Sequence, residues 1–98
     1  MLNKEQKKHL RSLAHDRKVI IRIGQNGLTG NVLDEINTAL EHHELVKTSI
    51  RVGDRQERDQ LATDICESSG AEIVQKIGNT VVLYRRNNKE PVITLPRN

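Results

Sequence analysis

The chain is poor in aromatic residues. It has no tryptophan, no phenylalanine and a single tyrosine, Tyr84, in 98 residues. Proteins that read splayed single-stranded bases usually stack them on aromatic rings, so that mode of recognition has almost no residues to use here. Strands favour aromatic residues for packing alone, and we therefore expect Tyr84 to pack beside a sheet rather than to stack on a base.

The chain also has only one cysteine, Cys66. A single cysteine excludes an internal disulfide and a cysteine-rich zinc cluster, and we interpret it as a residue of the core or its boundary. The sequence shows no signal-peptide pattern and no apolar segment long enough to cross a membrane. These absences predict a cytoplasmic protein without a membrane partner.

Motifs for catalysis and cofactor binding are missing. The sequence contains no GxGxxG pattern, no Walker loop and no nucleophile elbow. Asp54, Glu57 and Asp64 are spaced as on a capped, solvated helix. His42 and His43 are adjacent, so they point about 100° apart on a helix and cannot form an i, i+4 ligand pair. The sequence therefore predicts no enzyme, no cofactor and no metal site.

The charge is distributed unevenly along the chain. Residues 1–30 hold seven Lys or Arg against two carboxylates, residues 31–70 four against nine, and residues 71–98 five against two. The net charge of +3 therefore conceals a polarised chain. A one-sided basic field is typical of nucleic-acid binding proteins. Lysine-rich first helices also serve solubility alone, so charge leaves both interpretations open.

Hydrophobic periodicity predicts a single domain with the order α-β-α-β-α-β-β. The predicted helices are at about 3–15, 31–43 and 54–70, and the predicted strands at 19–23, 45–52, 72–77 and 80–86. Gly78-Asn79 predicts an antiparallel hairpin between the last two strands. This order indicates an α/β (α+β) fold in which helices cover a four-stranded mixed sheet.

Three parts of this fold carry more specific expectations. The β-branched run at 19–23 predicts a strand buried on much of both faces, in a central position. The alternation at 45–52 predicts a strand covered on one face. The tail, residues 87–98, is either an extra edge strand or a loosely docked end.

The most informative local pattern is the loop Gly24-Gln25-Asn26-Gly27, which follows a predicted strand and leads into a helix near Thr29. Glycines remove the Cβ atoms and permit positive φ, so backbone N–H groups can approach an anion at a helix N-terminus. An isolated Gly-x-x-Gly also serves as a simple strand-to-helix turn, and the four residues alone leave that alternative open.

The first predicted helix is cationic on one side. Five side chains recur at three- and four-residue steps, about 100° from the apolar face of Leu10, Leu13 and Ala14. This set, which we name the cationic stripe, is Lys4, Lys7, Lys8, Arg11 and His15. Because this helix ends a few residues before the strand at 19–23, we expect the stripe and the glycine loop to form one surface for a polyanionic backbone.

The chain resembles the CRM domain family, named for chloroplast RNA splicing and ribosome maturation, and within it the stand-alone bacterial YhbY-type proteins. The resemblance extends over about residues 2–86 and suggests a domain at 1–86 with the tail outside it. It is carried by the basic first helix, by residues 19–29 (VIIRIGQNGLT), by residues 32–36 (VLDEI), 39–41 (ALE) and 44–47 (ELVK), and by residues 78–85 (GNTVVLYR).

The resemblance implies an RNA-binding fold similar to the C-terminal domain of bacterial translation initiation factor three. It also implies association with the precursor of the large ribosomal subunit and a role in its assembly. The GxxG loop of the family falls on Gly24 and Gly27, with Gln25 and Asn26 as the variable pair. The basic surface of the family maps onto Lys4, Lys7, Lys8, Arg11, Lys18 and Arg22.

From their residue types, Gln25, Asn26, Thr29 and Asn31 are expected to reach sugars or base edges, while lysines and arginines neutralise phosphates. The alternative function is a protein adaptor on the ribosome that uses the acidic central helices and makes no RNA contact. The sequence specifies neither the RNA nor the oligomeric state.

Overall fold

The computed structural model of the chain describes residues 2–96, which form three helices and four strands. The elements are α1 (Lys4–His15), β1 (Ile21–Ile23), α2 (Gly30–His43), β2 (Leu45–Ile50), α3 (Arg55–Ser69), β3 (Glu72–Ile77) and β4 (Thr80–Tyr84). The predicted order of elements is confirmed. Within the described residues, no helix is long and apolar enough to cross a membrane.

The local signals that start and end the helices behave as predicted. Asn3 caps α1 in a reciprocal capping box with Gln6. The Asp54 carboxylate accepts the Glu57 N–H at 2.9 Å and so caps α3, which ends at Gly70 with φ +76°. These contacts satisfy backbone groups that have no partner inside the helices.

The four strands form one mixed sheet in the order β1-β2-β4-β3. β1 is parallel to β2, while β4 is antiparallel to both of its neighbours, so the predicted hairpin is confirmed. The prediction of a central first strand is wrong, because β1 lies at the edge and is covered on one face. Ile21 and Ile23 are buried, whereas Arg22 is exposed on the other face and Ile20 is 50% exposed.

β2 is the central strand, and the prediction that it is covered on one face is also wrong. Val46 and Ile50 pack in the core on one side, while Leu45 is buried in a second cluster with residues of α1. Lys47 lies beneath the last turn of α1, where its Nζ atom donates to the Ala14 carbonyl oxygen at 3.3 Å. The face of β2 that carries Lys47 is therefore covered by α1, and the lysine stabilises the C-terminus of that helix.

The sheet is covered on both sides. Ile36 and Leu40 of α2 and Ile65 of α3 belong to the core on one face. Leu10 and Ala14 of α1 belong to the cluster on the other face. The domain thus has three layers, with α2 and α3 on one side of the sheet and α1 on the other.

The tail lies on the same face as α1. Residues 87–96 contain no strand, and Ile93 and Leu95 pack against the cluster that includes Leu10 and Tyr84. Tyr84 is only 5% exposed, so the prediction that it packs beside the sheet is confirmed. Burial raises the pKa of its hydroxyl.

Candidate nucleic-acid interface

The glycine loop is a tight turn between β1 and α2. The Gly27 N–H donates to the Gly24 carbonyl oxygen at 2.9 Å, and Gly27 has φ +67°. A side chain at Gly27 would strain the backbone. A Cβ atom added at either glycine would have no protein atom within 4 Å, so the space in front of the loop is open to solvent.

The loop presents backbone donors that no described residue accepts. The backbone N–H groups of Gln25 and Asn26 have no partner in the described part of the chain. The Thr29 hydroxyl caps α2 by accepting the Val32 N–H at 3.2 Å. The backbone N–H of Asn31, in the exposed first turn of the helix, has no acceptor among the described residues. These N–H groups and the partial positive charge of a helix N-terminus favour an anion.

Two hydrogen bonds place this loop beside the other connections at the same end of the sheet. The Arg51 N–H donates to the Ile23 carbonyl oxygen at 2.8 Å, directly before Gly24. The Ile50 N–H donates to the Asn79 carbonyl oxygen at 2.7 Å, in the turn between β3 and β4. Both α2 and α3 begin at this end, which we name the loop end of the sheet.

The cationic stripe faces solvent along α1. Its members are exposed except Lys7, which is half-buried, whereas Leu10 and Ala14 are buried against the sheet. Among residues 2–96, no acceptor or carboxylate binds the side chain of Lys4, Lys7, Lys8 or Arg11. These cations are therefore available to a ligand.

Arg11 and Arg22 lie on the same face of the domain. Because the neighbours of Arg22 point into the core under α2, its own side chain points to the α1 face. Arg22 is paired with Ser49 of β2, which is paired in turn with Thr80 of β4. Arg11 and His15 line a cleft with Thr80. The cationic stripe therefore reaches the same row of paired residues in the sheet as Arg22.

Two predicted site residues lie farther from the glycine loop. Lys4 begins α1 close to the start of β3, where the Leu2 N–H donates to the Glu72 carboxylate at 3.2 Å. Lys18 is exposed and precedes β1, at the end of that strand opposite the loop. The structure therefore groups Arg11, Arg22 and the loop more closely than it groups the whole predicted set.

The family description that matches the chain is the CRS1 / YhbY (CRM) domain, over residues 2–85. The chain belongs to the CRM domain family. The chain is 42% identical to an RNA-binding protein of Haemophilus influenzae, in a match that covers 98% of this chain and 96% of that one. It is 39% identical to a probable RNA-binding protein of Pseudomonas aeruginosa, covering 90% of this chain and 85% of that one.

A solved structure has the same fold as this CRM domain. The solution structure of a Staphylococcus aureus protein, described provisionally as RNA-binding, superposes with a TM-score of 0.80. The two chains are 37% identical, and the match covers 98% of this chain and all of the other.

The loop end of this CRM domain carries four cations that the sequence analysis did not select. Arg51 is exposed after β2, and Arg55, Arg58 and Lys76 line a cleft with Asn79. They were missed because they lie in or near the acidic middle of the chain, where the local charge balance is negative. A signal was present in the spacing of Arg55 and Arg58, which places both on one side of the first turn of a helix.

The acidic side chains of the CRM domain lie mainly on the opposite layer. The outer surfaces of α2 and α3 carry exposed carboxylates. These include Asp34, Glu35, Glu41, Glu57 and Glu67. The fold therefore separates a basic α1 face from a largely acidic α2 and α3 face.

The described residues of the CRM domain offer no group of three His, Cys, Asp or Glu side chains that fits a metal ion. Cys66 is a half-buried thiol at the boundary of the core, and burial raises its pKa. A raised pKa keeps the thiol protonated and weakly nucleophilic. The arrangement is one of cations and backbone donors, which can hold phosphates.

Proposed function

We propose that this CRM domain binds RNA through its phosphate backbone. The observation that carries the proposal is the open set of N–H groups in the Gly24–Gly27 loop beside the unpaired Arg11 and Arg22. The names of the Haemophilus and Pseudomonas relatives support RNA as the ligand. Phosphate oxygens would accept hydrogen bonds from the backbone N–H groups of the loop, while arginines and lysines neutralise the charge of the RNA backbone.

Contacts to sugars and base edges are assigned to the polar side chains around the loop. Gln25, Asn26 and Asn31 are exposed there, and Thr29 is exposed although its hydroxyl already caps α2. Contacts to phosphates position an RNA without reading its sequence. We therefore expect weak sequence preference and a strong dependence on salt.

We infer further that the RNA is the precursor of large-subunit ribosomal RNA, and that the protein assists assembly in the cytoplasm without a catalytic role. The resemblance to YhbY-type proteins supports this inference. Crosslinking in cell extract followed by sequencing of the attached RNA tests it. Recovery mainly of unrelated transcripts would retain RNA binding and reject the assembly role.

The binding proposal is tested by removing three cations of the stripe in the variant Lys7→Ala/Lys8→Ala/Arg11→Ala. With about five phosphates engaged, log affinity against log salt should have a slope of about −3.5 on a single strand, or about −4.5 on a duplex. The triple variant should flatten the single-strand slope by about 2. It should weaken binding at low salt by about 1 kcal/mol for each lost contact.

The matched control is Arg86→Ala/Lys89→Ala, which removes exposed cations beyond the other end of β4. Its effect for each charge removed should be much smaller. An adaptor that uses the carboxylates of α2 and α3 would not respond to the triple variant. A slope near zero for the unmodified protein would reject phosphate binding altogether.

A further inference from the structure

A cleft of about 360 Å³ opens at the loop end of the sheet, between the start of α3 and the β3–β4 turn. Its floor is formed by Ile50 and Val81, both buried, and its rim carries Arg55 and Arg58. This volume falls in the range of pockets that hold small ligands. An aliphatic floor below planar cations suits a flat group with polar edges.

The two arginines of the rim have no internal role. Neither guanidinium group has a hydrogen bond or an ion pair with a described residue, although Arg58 is half-buried. Lys76, also on the rim, differs because its Nζ lies 3.2 Å from Asp59 Oδ1. The cleft thus has two unpaired cations in addition to one that is already paired.

Arginine can do here what aromatic side chains do in other RNA-binding proteins. Tyr84 is buried at the end of β4 far from the cleft. Guanidinium planes stack on unpaired bases, and their cations are attracted to π-systems. The side-chain amide of Asn79, on the same rim, offers a donor and an acceptor to a base edge.

The cleft and the glycine loop lie at the same end of the sheet. Asn79 is hydrogen-bonded to Ile50, and the next residue, Arg51, is hydrogen-bonded to Ile23 just before Gly24. Only β2 separates β1 from β4, so the two features are about two strand spacings, or about 10 Å, apart. The exposed Arg51 lies between them.

We propose that this cleft holds one unpaired base of the RNA strand whose backbone lies on the Gly24–Gly27 loop. Arg55 and Arg58 stack on the base, and Asn79 bonds its edge. The proposal rests on the proposed RNA binding and adds a contact that phosphate recognition alone does not require. It predicts a preference for single-stranded or bulged RNA over a continuous duplex.

The variant Arg55→Lys/Arg58→Lys separates stacking from charge. Lysine retains the positive charge but lacks the planar guanidinium group. Binding of a uridine dodecamer should weaken about tenfold, as expected for the loss of one stacked base. The salt slope should stay unchanged because no charge is removed. Arg86→Lys, at the other end of β4, is the matched control and should bind as the unmodified protein does.

The outcomes distinguish this proposal from the proposed function. If the unmodified protein binds the dodecamer and the lysine variant binds it equally well, the base site is rejected while phosphate binding stands. If the unmodified protein does not bind RNA, both are rejected. Thermal unfolding of the lysine variant should match that of the unmodified protein, which ensures that lost affinity does not come from lost structure.

A second measurement locates the base directly. A dodecamer with one 4-thiouridine should crosslink under ultraviolet light to the peptides that contain Arg58 or Asn79, as mapped by mass spectrometry. In the variant Arg55→Lys/Arg58→Lys this crosslink should fall at least about tenfold relative to crosslinks at the glycine loop. Crosslinks confined to the loop and the cationic stripe would overturn the proposal.

Discussion

The two ends of the sheet differ in whether their backbone N–H groups and arginines have acceptors inside the protein. At the end where β2 begins, Glu44 is fully buried, and its carboxylate accepts N–H groups of the tail. The donors are Asn87 at 2.7 Å, Val92 at 2.8 Å and Ile93 at 2.6 Å. At the loop end, the backbone N–H groups of Gln25 and Asn26 have no acceptor among the described residues.

The arginines follow the same division. Arg85 donates to the side-chain oxygen of Asn37 at 2.9 Å, to the Asn37 carbonyl at 3.1 Å and to the Ser69 carbonyl at 2.9 Å. It also lies 3.2 Å from a Glu41 carboxylate oxygen. Arg22, at the loop end, is exposed and has no partner in the described part of the chain.

This contrast teaches that positive charge alone does not identify a binding surface. A guanidinium group whose donors are used inside the protein cannot bind a phosphate without breaking those bonds. A guanidinium group without internal acceptors leaves all five of its donors available. Arg85 therefore belongs to the structure, whereas Arg22, Arg55 and Arg58 belong to the candidate interface.

The largest effect is expected for Glu44→Ala. The change leaves three part-buried N–H groups without their acceptor and frees the tail. Each group left unpaired costs about 1 kcal/mol, so we expect a loss of about 3 kcal/mol. Glu44 also has φ +61°, which is uncommon for a residue with a side chain. Urea unfolding measures the loss, and hydrogen exchange at Val92 and Ile93 shows whether the tail is released.

The matched control for this change is Glu90→Ala, which alters an exposed carboxylate of the same tail. Its effect should stay within about 0.5 kcal/mol, as for surface changes in general. If Glu44→Ala and Glu90→Ala destabilise the protein equally, the tail is not anchored through Glu44. RNA binding by folded Glu44→Ala should persist, because the change is at the opposite end from the glycine loop.

A smaller loss of stability is expected for Arg85→Ala. Its bonds to Asn37 and Ser69 are lost, and two carbonyl groups lose a donor, which costs about 2 kcal/mol.

Arg22→Ala should leave the free energy of unfolding within about 0.5 kcal/mol of the unmodified protein. It should flatten the slope of log affinity against log salt for single-stranded RNA by about 0.7. Urea unfolding and RNA binding should be measured on both Arg22→Ala and Arg85→Ala. If Arg85→Ala lowered RNA affinity without lowering stability, the division between a structural Arg85 and an available Arg22 would be wrong.

The elements of this fold could be predicted because their signals are local. The capping residues Asn3 and Asp54, the helix end at Gly70 and the turn Gly78-Asn79 each act over a few neighbouring residues. The position of β1 at the edge and the burial of β2 on both faces could not be predicted in this way. The first depends on the pairing of β4 with β2. The second depends on where α1 packs, and the contact of α1 with Lys47 joins residues far apart in the chain.

The site shows the same limit. Gly24 and Gly27 could be proposed from the sequence because a short loop pattern carries its own chemistry. Arg58 could not, since its proposed role depends on an open cleft formed with the distant Asn79. Glu44 resembles any carboxylate at a solvated helix end, and its three donors follow it by more than 40 residues.

The anchor at Glu44 also predicts a dependence of stability on pH. Burial by itself raises the pKa of this carboxyl, but the N–H groups of Asn87, Ile93 and Val92 and the positive charge of Arg86 outweigh burial and lower it. The pKa in the folded protein is therefore below the ordinary value of 4.5 that applies when the chain is unfolded.

A lowered pKa means that the ionised carboxylate stabilises the fold at pH values above 4.5, and that this contribution is lost as the pH falls through the folded value. The effect should be smaller than that of Glu44→Ala, because a protonated carboxyl group still accepts some of the N–H bonds. Urea midpoints measured from neutral pH down to about pH 3 should fall more steeply for the unmodified protein than for Glu44→Gln, which cannot ionise. Parallel curves for the two proteins would mean that other carboxylates cause the acid sensitivity and that Glu44 does not hold the tail through its charge.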